Sequence, residues 1–394
     1  MFEIIEKTNR AEMFSSYSCM GSQFIEKLNP FSYEKNLIKI SPDCSFSIYT
    51  GDCCYVLKNS SALIFDPLEY LDCGDSYKFG EDYFIYLGLV DEKAKIIVSL
   101  NATYPNGMRP ENTRKIGGFH YGSIRKVSDD GLWVPVDSNG VKFGSTGIKW
   151  QDNVTEGIVP NSVWDLKNRP KTLFGGLVKV GGIWVSIYQA SKRTNFTFME
   201  GENLTHVAEG MLQSCYGQYP VSGIDGLCQY NFSELAARAG MRLMSYSEWQ
   251  AAAYGAPQGE ADANVYGWCD ETNKVRARTG CSVNLETGLH DAEKGAKPYA
   301  ISAMNVVDTT GNVWEWLGEY SNRHDAPEGE WGYYDQLGPG MGQIYGWKTD
   351  SFSAFAAGGH WHRGIYCGPR AINPDDQPWK VNVHIGTRLA CDSL

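Results

Sequence analysis

The sequence predicts a mainly β protein, with an amino-terminal β-sandwich followed by an α+β carboxyl-terminal domain. Three observations predict it. Short apolar runs, each bounded by turn residues, follow one another from Leu37 to Leu100. Helix signals are few, and both fall between Asn231 and Gly255. The composition is rich in ring and turn residues, with 12 Trp, 23 Tyr and 43 Gly in 394 residues. Tyr and Trp supply contact area at low entropic cost, and Gly admits the tight turns of loop-rich β structure.

The sandwich rests on six expected strands: Leu37–Ile40, Cys44–Tyr49, Cys54–Leu57, Ala62–Phe65, Tyr83–Val90 and Lys95–Leu100. Turn residues such as Ser41-Pro42-Asp43 and Thr50-Gly51-Asp52 separate them, the spacing expected of a β-sandwich. Residues 1–35 carry no sustained period and are read as an arm for attachment or trimerisation. The sandwich is assigned to 36–160 and the second domain to 161–394. In the second domain, Gly175 to Tyr188 reads as a hairpin turning at Gly181-Gly182. Asn231-Phe-Ser-Glu-Leu-Ala-Ala-Arg-Ala is a helix ending at Gly240, and Ser245-Tyr-Ser-Glu248 is a capping box that opens a second. From 256 to 357 the chain reads mostly as loop.

The last stretch, 358–394, interleaves two kinds of residue. Gly358, Gly359, Trp361, Cys367, Trp379, Val381, Val383, Ile385 and Arg388 are scaffold types. Between them stand His360, His362, Arg363, Gly364, Tyr366, Asn373, Asp375, Asp376, Lys380, Asn382 and His384. Over Lys380–Ile385 apolar and polar residues alternate with period two, which predicts a strand with Val381 and Val383 inward and Lys380, Asn382 and His384 wet. The polar set is mixed in chemistry, without a catalytic pairing, and reads as a recognition surface on a rigid frame.

Charge and cysteine usage exclude several classes. A net charge of −11 argues against nucleic acid or an anionic membrane as the main partner. The start, Met1-Phe-Glu-Ile-Ile-Glu-Lys7, lacks the basic and apolar segments of a signal peptide. No apolar run approaches the roughly 18 residues of a membrane span. The 11 Cys show no CxxC spacing and read as free thiols made in a reducing cytoplasm. His360, His362 and His384 suit zinc or copper in type, but His-x-His on extended chain fixes no third ligand, so no metal is expected there.

Three motifs together resemble a known family. Arg242-Leu-Met-Ser-Tyr-Ser-Glu-Trp249, Asp308-Thr-Thr-Gly-Asn-Val-Trp-Glu-Trp316 and the closing Gly358-Gly…Gly386-Thr-Arg-Leu-Ala390 are similar to the C-type lectin fold of the formylglycine-generating-enzyme type. Thr113-Arg-Lys-Ile-Gly-Gly-Phe-His-Tyr121, Val163-Trp-Asp-Leu-Lys-Asn-Arg-Pro170 and Asn231-Phe-Ser-Glu resemble, more narrowly, the phage tropism determinants. These are receptor-binding proteins diversified by a retroelement, and the resemblance runs over roughly 36–394.

The resemblance implies a homotrimer at a virion tail tip, synthesised in a host cytoplasm, held by tail components and facing a host-surface protein or glycan. Its variable region would be about 358–386. Diversification acts at adenines, and all of the polar set except Lys380 are types reachable that way from an Asn codon. The diversified surface protein of a cell is the rival implied by the same resemblance. Formylglycine-generating relatives bind calcium at positions matching Asp308, Gly311, Val313 and Glu315, which implies a structural calcium here; no other cofactor is expected. They also need two cysteines in the closing segment to hold copper. This chain offers Cys367 there, with Cys391 lying beyond Arg388, so no enzymatic activity is expected.

Overall fold

A computed structural model describes residues 1–9, 16–28, 36–125, 154–172, 174–201, 204–256, 276–281, 301–322, 330–332, 344–346, 352–361, 363 and 366–394. The chain divides into two compact units. The first comprises Met1–Ile124, Glu156–Pro170 and Ser393–Leu394, and the second Arg125–Thr155 and Lys171–Asp392. Position 160, where one boundary was expected, falls inside a first-unit segment, and the chain passes between the units at 124/125, 155/156, 170/171 and 392/393. Among the described residues no helix is long and apolar enough to cross a membrane.

The strands of the first unit are β1 (Glu3–Asn9), β2 (Tyr17–Ser18), β3 (Ile25–Lys27), β4 (Ile38–Ile40), β5 (Ser45–Tyr49), β6 (Cys53–Lys58), β7 (Leu63–Phe65), β8 (Glu81–Val90), β9 (Lys93–Ser99), β10 (Thr113–Arg125), β11 (Val154–Ile158) and β12 (Trp164–Asp165). They form a sheet ordered β1-β6-β5-β2, another ordered β11-β10-β8-β9 with β12 on β10, and a smaller one, β3-β4-β7. Alternation explains the faces: Phe46, Ile48 and Leu57 enter one core with Ile85, Leu87, Val98 and Phe119. Each strand expected between Leu37 and Leu100 has its counterpart here.

The reading of residues 1–35 as an arm needs correction. β1 runs antiparallel to β6, β2 pairs with β5, and β3 pairs with β4. Phe2, Phe24 and Ile25 are core residues. β2 and β3 are two and three residues long, and β1, at seven, does not alternate (Glu-Ile-Ile-Glu-Lys); partner strands supply the order. The tie at Asp165 is particular, since its Oδ2 accepts from the Phe24 and Ile25 amides.

The second unit holds β13 (Leu177–Val180), β14 (Ile183–Ser186), β15 (Ala190–Met199), β16 (His206–Ser214), α1 (Gln229–Arg238), β17 (Arg242–Leu243), α2 (Tyr246–Ala253), β18 (Trp314–Ser321), β19 (Glu330–Gly332), β20 (Ile344–Gly346), β21 (Ser353–Ala357), β22 (Ile372–Asp376), β23 (Ile385–Thr387) and β24 (Leu389–Asp392). β13 and β14 are the hairpin turned by Gly181-Gly182, and β24 extends it as β13-β14-β24-β17. α1 stops at Arg238, just before Gly240, and α2 opens on the expected box, Ser245 Oγ accepting from Glu248 N at 3.2 Å. A sheet ordered β19-β20-β22-β21-β18-β23 carries the closing segment.

The expected strand at 380–385 is absent. β23 begins only at Ile385, and the chain from 377 to 384 is an irregular loop. Its main chain bonds elsewhere: Pro378 O accepts from Gln229 N at the start of α1, and Asn382 O accepts from Gly223 N and Ile385 N. Without a ladder, alternation carries no information about faces: Lys380 is exposed as expected, but so are the apolar residues beside it. Trp379, Val381 and Val383 are exposed, by 50%, 51% and 43%.

Candidate functional site

The floor of the closing segment is a buried ionic centre. Arg388 and Glu315 are each 1% exposed at the side chain and pair at 2.8 Å. All five guanidinium donors of Arg388 have an acceptor: Nε to Glu315 Oε2, Nη1 to the Ser186 and Ile187 carbonyls, Nη2 to Val307 O and Glu315 Oε1. The Glu315 carboxylate takes two further donors, Trp249 Nε1 at 2.7 Å and Gln189 Nε2 at 3.0 Å. This network ties β14, α2, β18 and the turn after β23 into one rigid base.

The calcium implied for Asp308, Gly311, Val313 and Glu315 does not fit these residues. Both Glu315 oxygens face N–H donors, including a guanidinium cation, and Val313 O accepts from Gln189 Nε2 at 3.1 Å. Asp308 Oδ2 accepts from Thr279 Oγ1 and Gly280 N at 2.8 and 2.7 Å. The Gly311 amide donates to Gly358 O. Among the described residues no three His, Cys, Asp or Glu side chains converge as a metal cluster. The Glu315 carboxylate that a divalent ion would need is already taken by the Arg388 guanidinium and two further N–H donors, so the family's calcium set is a hydrogen-bonded structural turn in this chain. Desolvation pushes the Asp308 carboxyl up to about 6.

Above this floor, Gly358 and Gly359 turn the chain off β21. A Cβ on Gly359 would lie 2.3 Å from Cys367 Sγ, and its φ of +88° is one that other residues avoid. That close approach brings Cys367 back to His360: Cys367 donates to His360 O, Arg363 N to His360 O, and Tyr366 N to Arg363 O. Cys367 is buried, which pushes its thiol up to about 12 and leaves it a poor nucleophile. His360 stacks on His384 at 4.3 Å between ring centroids, and Trp361 meets His384 edge-on at 4.7 Å.

The expected recognition residues therefore divide. Arg363, Asp375 and Lys380 are exposed, and Tyr366, Asn382 and His384 are half-buried. His360, Asn373 and Asp376 are buried, contrary to their reading as surface. His362 and Gly364 lie outside the described residues. Burial has a local reason in each case. His360 fills the space beside Trp314 and Trp361. Asn373 sits on the inner side of β22, where its Oδ1 accepts from Asp375 N at 3.1 Å. Asp376 anchors the loop by accepting from Lys380 Nζ and from Asn382 Nδ2 at 3.3 Å. Loss of solvent and the neighbouring Asp376 carboxylate hold Asp375 above the ordinary carboxylate range.

A model of the sulfatase-modifying factor enzyme 1-like domain matches residues 103–393. The chain belongs to that family. A second model, the Mtd second domain, matches residues 32–151. The chain is similar to the tail fiber receptor-binding protein of Bordetella phage BPP-1, 26% identical over 325 residues, which cover 80% of this chain and 72% of that one. Its fold is that of two solved tropism determinants. The Major Tropism Determinant I1 variant matches with a TM-score of 0.61 at 20% identity, and the U1 variant with 0.60 at 21%; each comparison covers 96% of this chain and 86% of the other.

Within this sulfatase-modifying-factor-like domain, sequence reasoning missed the outward apolar residues of the 377–384 loop. A turn signal lay next to it: Pro378 precedes 380–385 and marks a loop leading into that stretch. Gly223 was the other missed element. A Cβ there would lie 2.4 Å from the Asn382 main chain, so only glycine lets the loop seat against the segment before α1.

Proposed function

We propose that this chain is a receptor-binding, tropism-determining protein of a phage tail, contacting a host-surface protein or glycan through the loops that carry residues 360–384. The observation that carries the reading is the combination of a fixed base with a chemically mixed outer rim. Arg388 and Glu315 immobilise the floor, Asp376 and Gly223 pin the loop, and Arg363, Asp375, Trp379, Lys380, Val381 and Val383 face outward. Aromatic and arginine side chains on a preorganised frame suit contact hot spots, because little entropy is lost on binding.

Several features support binding over catalysis. The closing segment's thiol, Cys367, is buried under Gly359 and bonded to a carbonyl. A homotrimer in the virion would multiply three moderate contacts into avidity. A nearby near-copy of the 3′ coding end, differing at adenines, would accompany a diversifying retroelement.

Flow cytometry of the labelled chain on a panel of bacterial strains tests the proposal. Saturable binding to some strains is expected, and the triple variant Trp379→Ala, Val381→Ser, Val383→Ser should abolish it while keeping the melting curve. Equal retention of both proteins on every strain sinks the reading. Turnover of a cysteine-containing sulfatase peptide with copper would replace it with catalysis.

A further inference from the structure

We propose that Cys19 and Cys44 are a redox pair that closes to a cross-strand disulfide by exchange with a low-molecular-weight disulfide, pinning the amino-terminal strands to the first sheet. The register places them together. β2 pairs with β5 as Tyr17 opposite Phe46 and Ser18 opposite Ser45, so the next residues, Cys19 and Cys44, stand directly across from each other.

The ladder also fixes the kind of site. Ser47 N donates to Ser16 O at 3.1 Å, which makes 16/47 a hydrogen-bonded pair. Alternation then makes 18/45 bonded and 19/44 non-bonded, with Cα atoms about 4.5 Å apart. That separation lies inside the range a disulfide spans, and the side chains lean toward each other in such pairs. Consistently, Cys44 turns its main chain the other way, its N donating to Asn59 Oδ1 and its O accepting from Asn59 N.

Both cysteines belong to the apolar core of the first unit, where the Cys44 thiol donates to Pro42 O at 3.9 Å. The interaction between the two neighbouring thiols holds that of Cys44 below the ordinary value and that of Cys19 above it, so Cys44 ionises first. Lys167 Nζ, which donates to the Cys19 and Gly21 carbonyls, adds a positive charge beside the pair. β2 is two residues long and forms the sheet edge, so local opening there admits a small reagent.

The chemistry balances without a metal. Cys44 thiolate attacks one sulfur of the small disulfide, forming a mixed disulfide and releasing one thiolate, which takes up the proton lost from Cys44. Cys19, after losing its own proton, attacks Cys44 Sγ and expels the second thiolate, which takes up that proton. The protein loses two hydrogens and the reagent becomes two thiols. A chain made with both thiols reduced would thus be locked once outside a reducing cytoplasm, and this holds whatever the outer loops bind.

The test is incubation of the purified folded chain with 2-hydroxyethyl disulfide, then alkylation in denaturant and non-reducing peptide mapping. The expected result is a peptide pair linked through Cys19 and Cys44, two mass units lighter than the thiol pair. The melting midpoint of the first unit should rise by roughly 5–10 °C, since the bond closes a loop of about 25 residues. Cys19→Ser and Cys44→Ser should each lose that rise. Recovery of both cysteines fully alkylated, a hydroxyethyl adduct left on either, or linkage to another cysteine each overturns the proposal. The mapping uses the unaltered chain, so it decides even if a serine variant does not fold.

Discussion

Replacing Arg388 with Gln removes the cation at the base of the closing segment, and its cost follows from what is left behind. Glu315, at 1% exposure, loses two of its four N–H donors and the cation paired with it. The carbonyls of Ser186, Ile187 and Val307 lose charged donors at 2.6 to 2.9 Å. Stranding one buried charge costs on the order of 3–5 kcal/mol, and the new amide recovers part of the carbonyl loss, so about 4 kcal/mol is expected. At roughly 2–4 °C per kcal/mol for a unit of this size, the second unit should melt about 10–15 °C lower. Differential scanning calorimetry reads this directly, in EDTA and again in millimolar calcium. Wild type should melt at the same temperature in both, because Arg388 already takes the Glu315 carboxylate. A variant melting within about 2 °C of wild type, or a calcium-dependent rise in wild type, would refute the reasoning.

Three further outcomes follow from the same geometry. The Asp308 carboxyl is raised from 3.8 to about 6 in the folded chain, so its contribution is fully present below pH 4 and lost as pH rises through 6. The loss is up to about 3 kcal/mol, and Asp308→Asn should flatten melting temperature against pH across that window. Gly359→Ala sets a methyl against Cys367 at a positive φ and should lower stability by roughly 1–3 kcal/mol in a urea titration, with a wild-type slope m. Val383→Ala should move stability by no more than about 0.5 kcal/mol, whereas Trp361→Ala, with the indole 4% exposed, should cost roughly 3–5 kcal/mol. Equal losses at the two positions would mean that the loop is packed, not displayed.

Local signals settled much of this molecule from the sequence by itself. The Ser245–Glu248 box, the Gly181-Gly182 turn and the strands from Leu37 to Leu100 depend on neighbours within a few residues, and each appears where those signals point. What only tertiary structure decided lay wherever a distant partner chose the outcome. β1 and β3 exist because β6 and β4 complete their hydrogen bonds. Asp308-to-Trp316 carries the letters of a calcium loop, yet Arg388 and Gln189, far along the chain, supply the charge and donors that exclude the ion. In Lys380–Ile385 the period of two was real, but Gly223 and Asp376 take its polar groups and the valines turn to solvent. Alternation gives a chain two faces; which one meets water is decided by the partners its main chain finds.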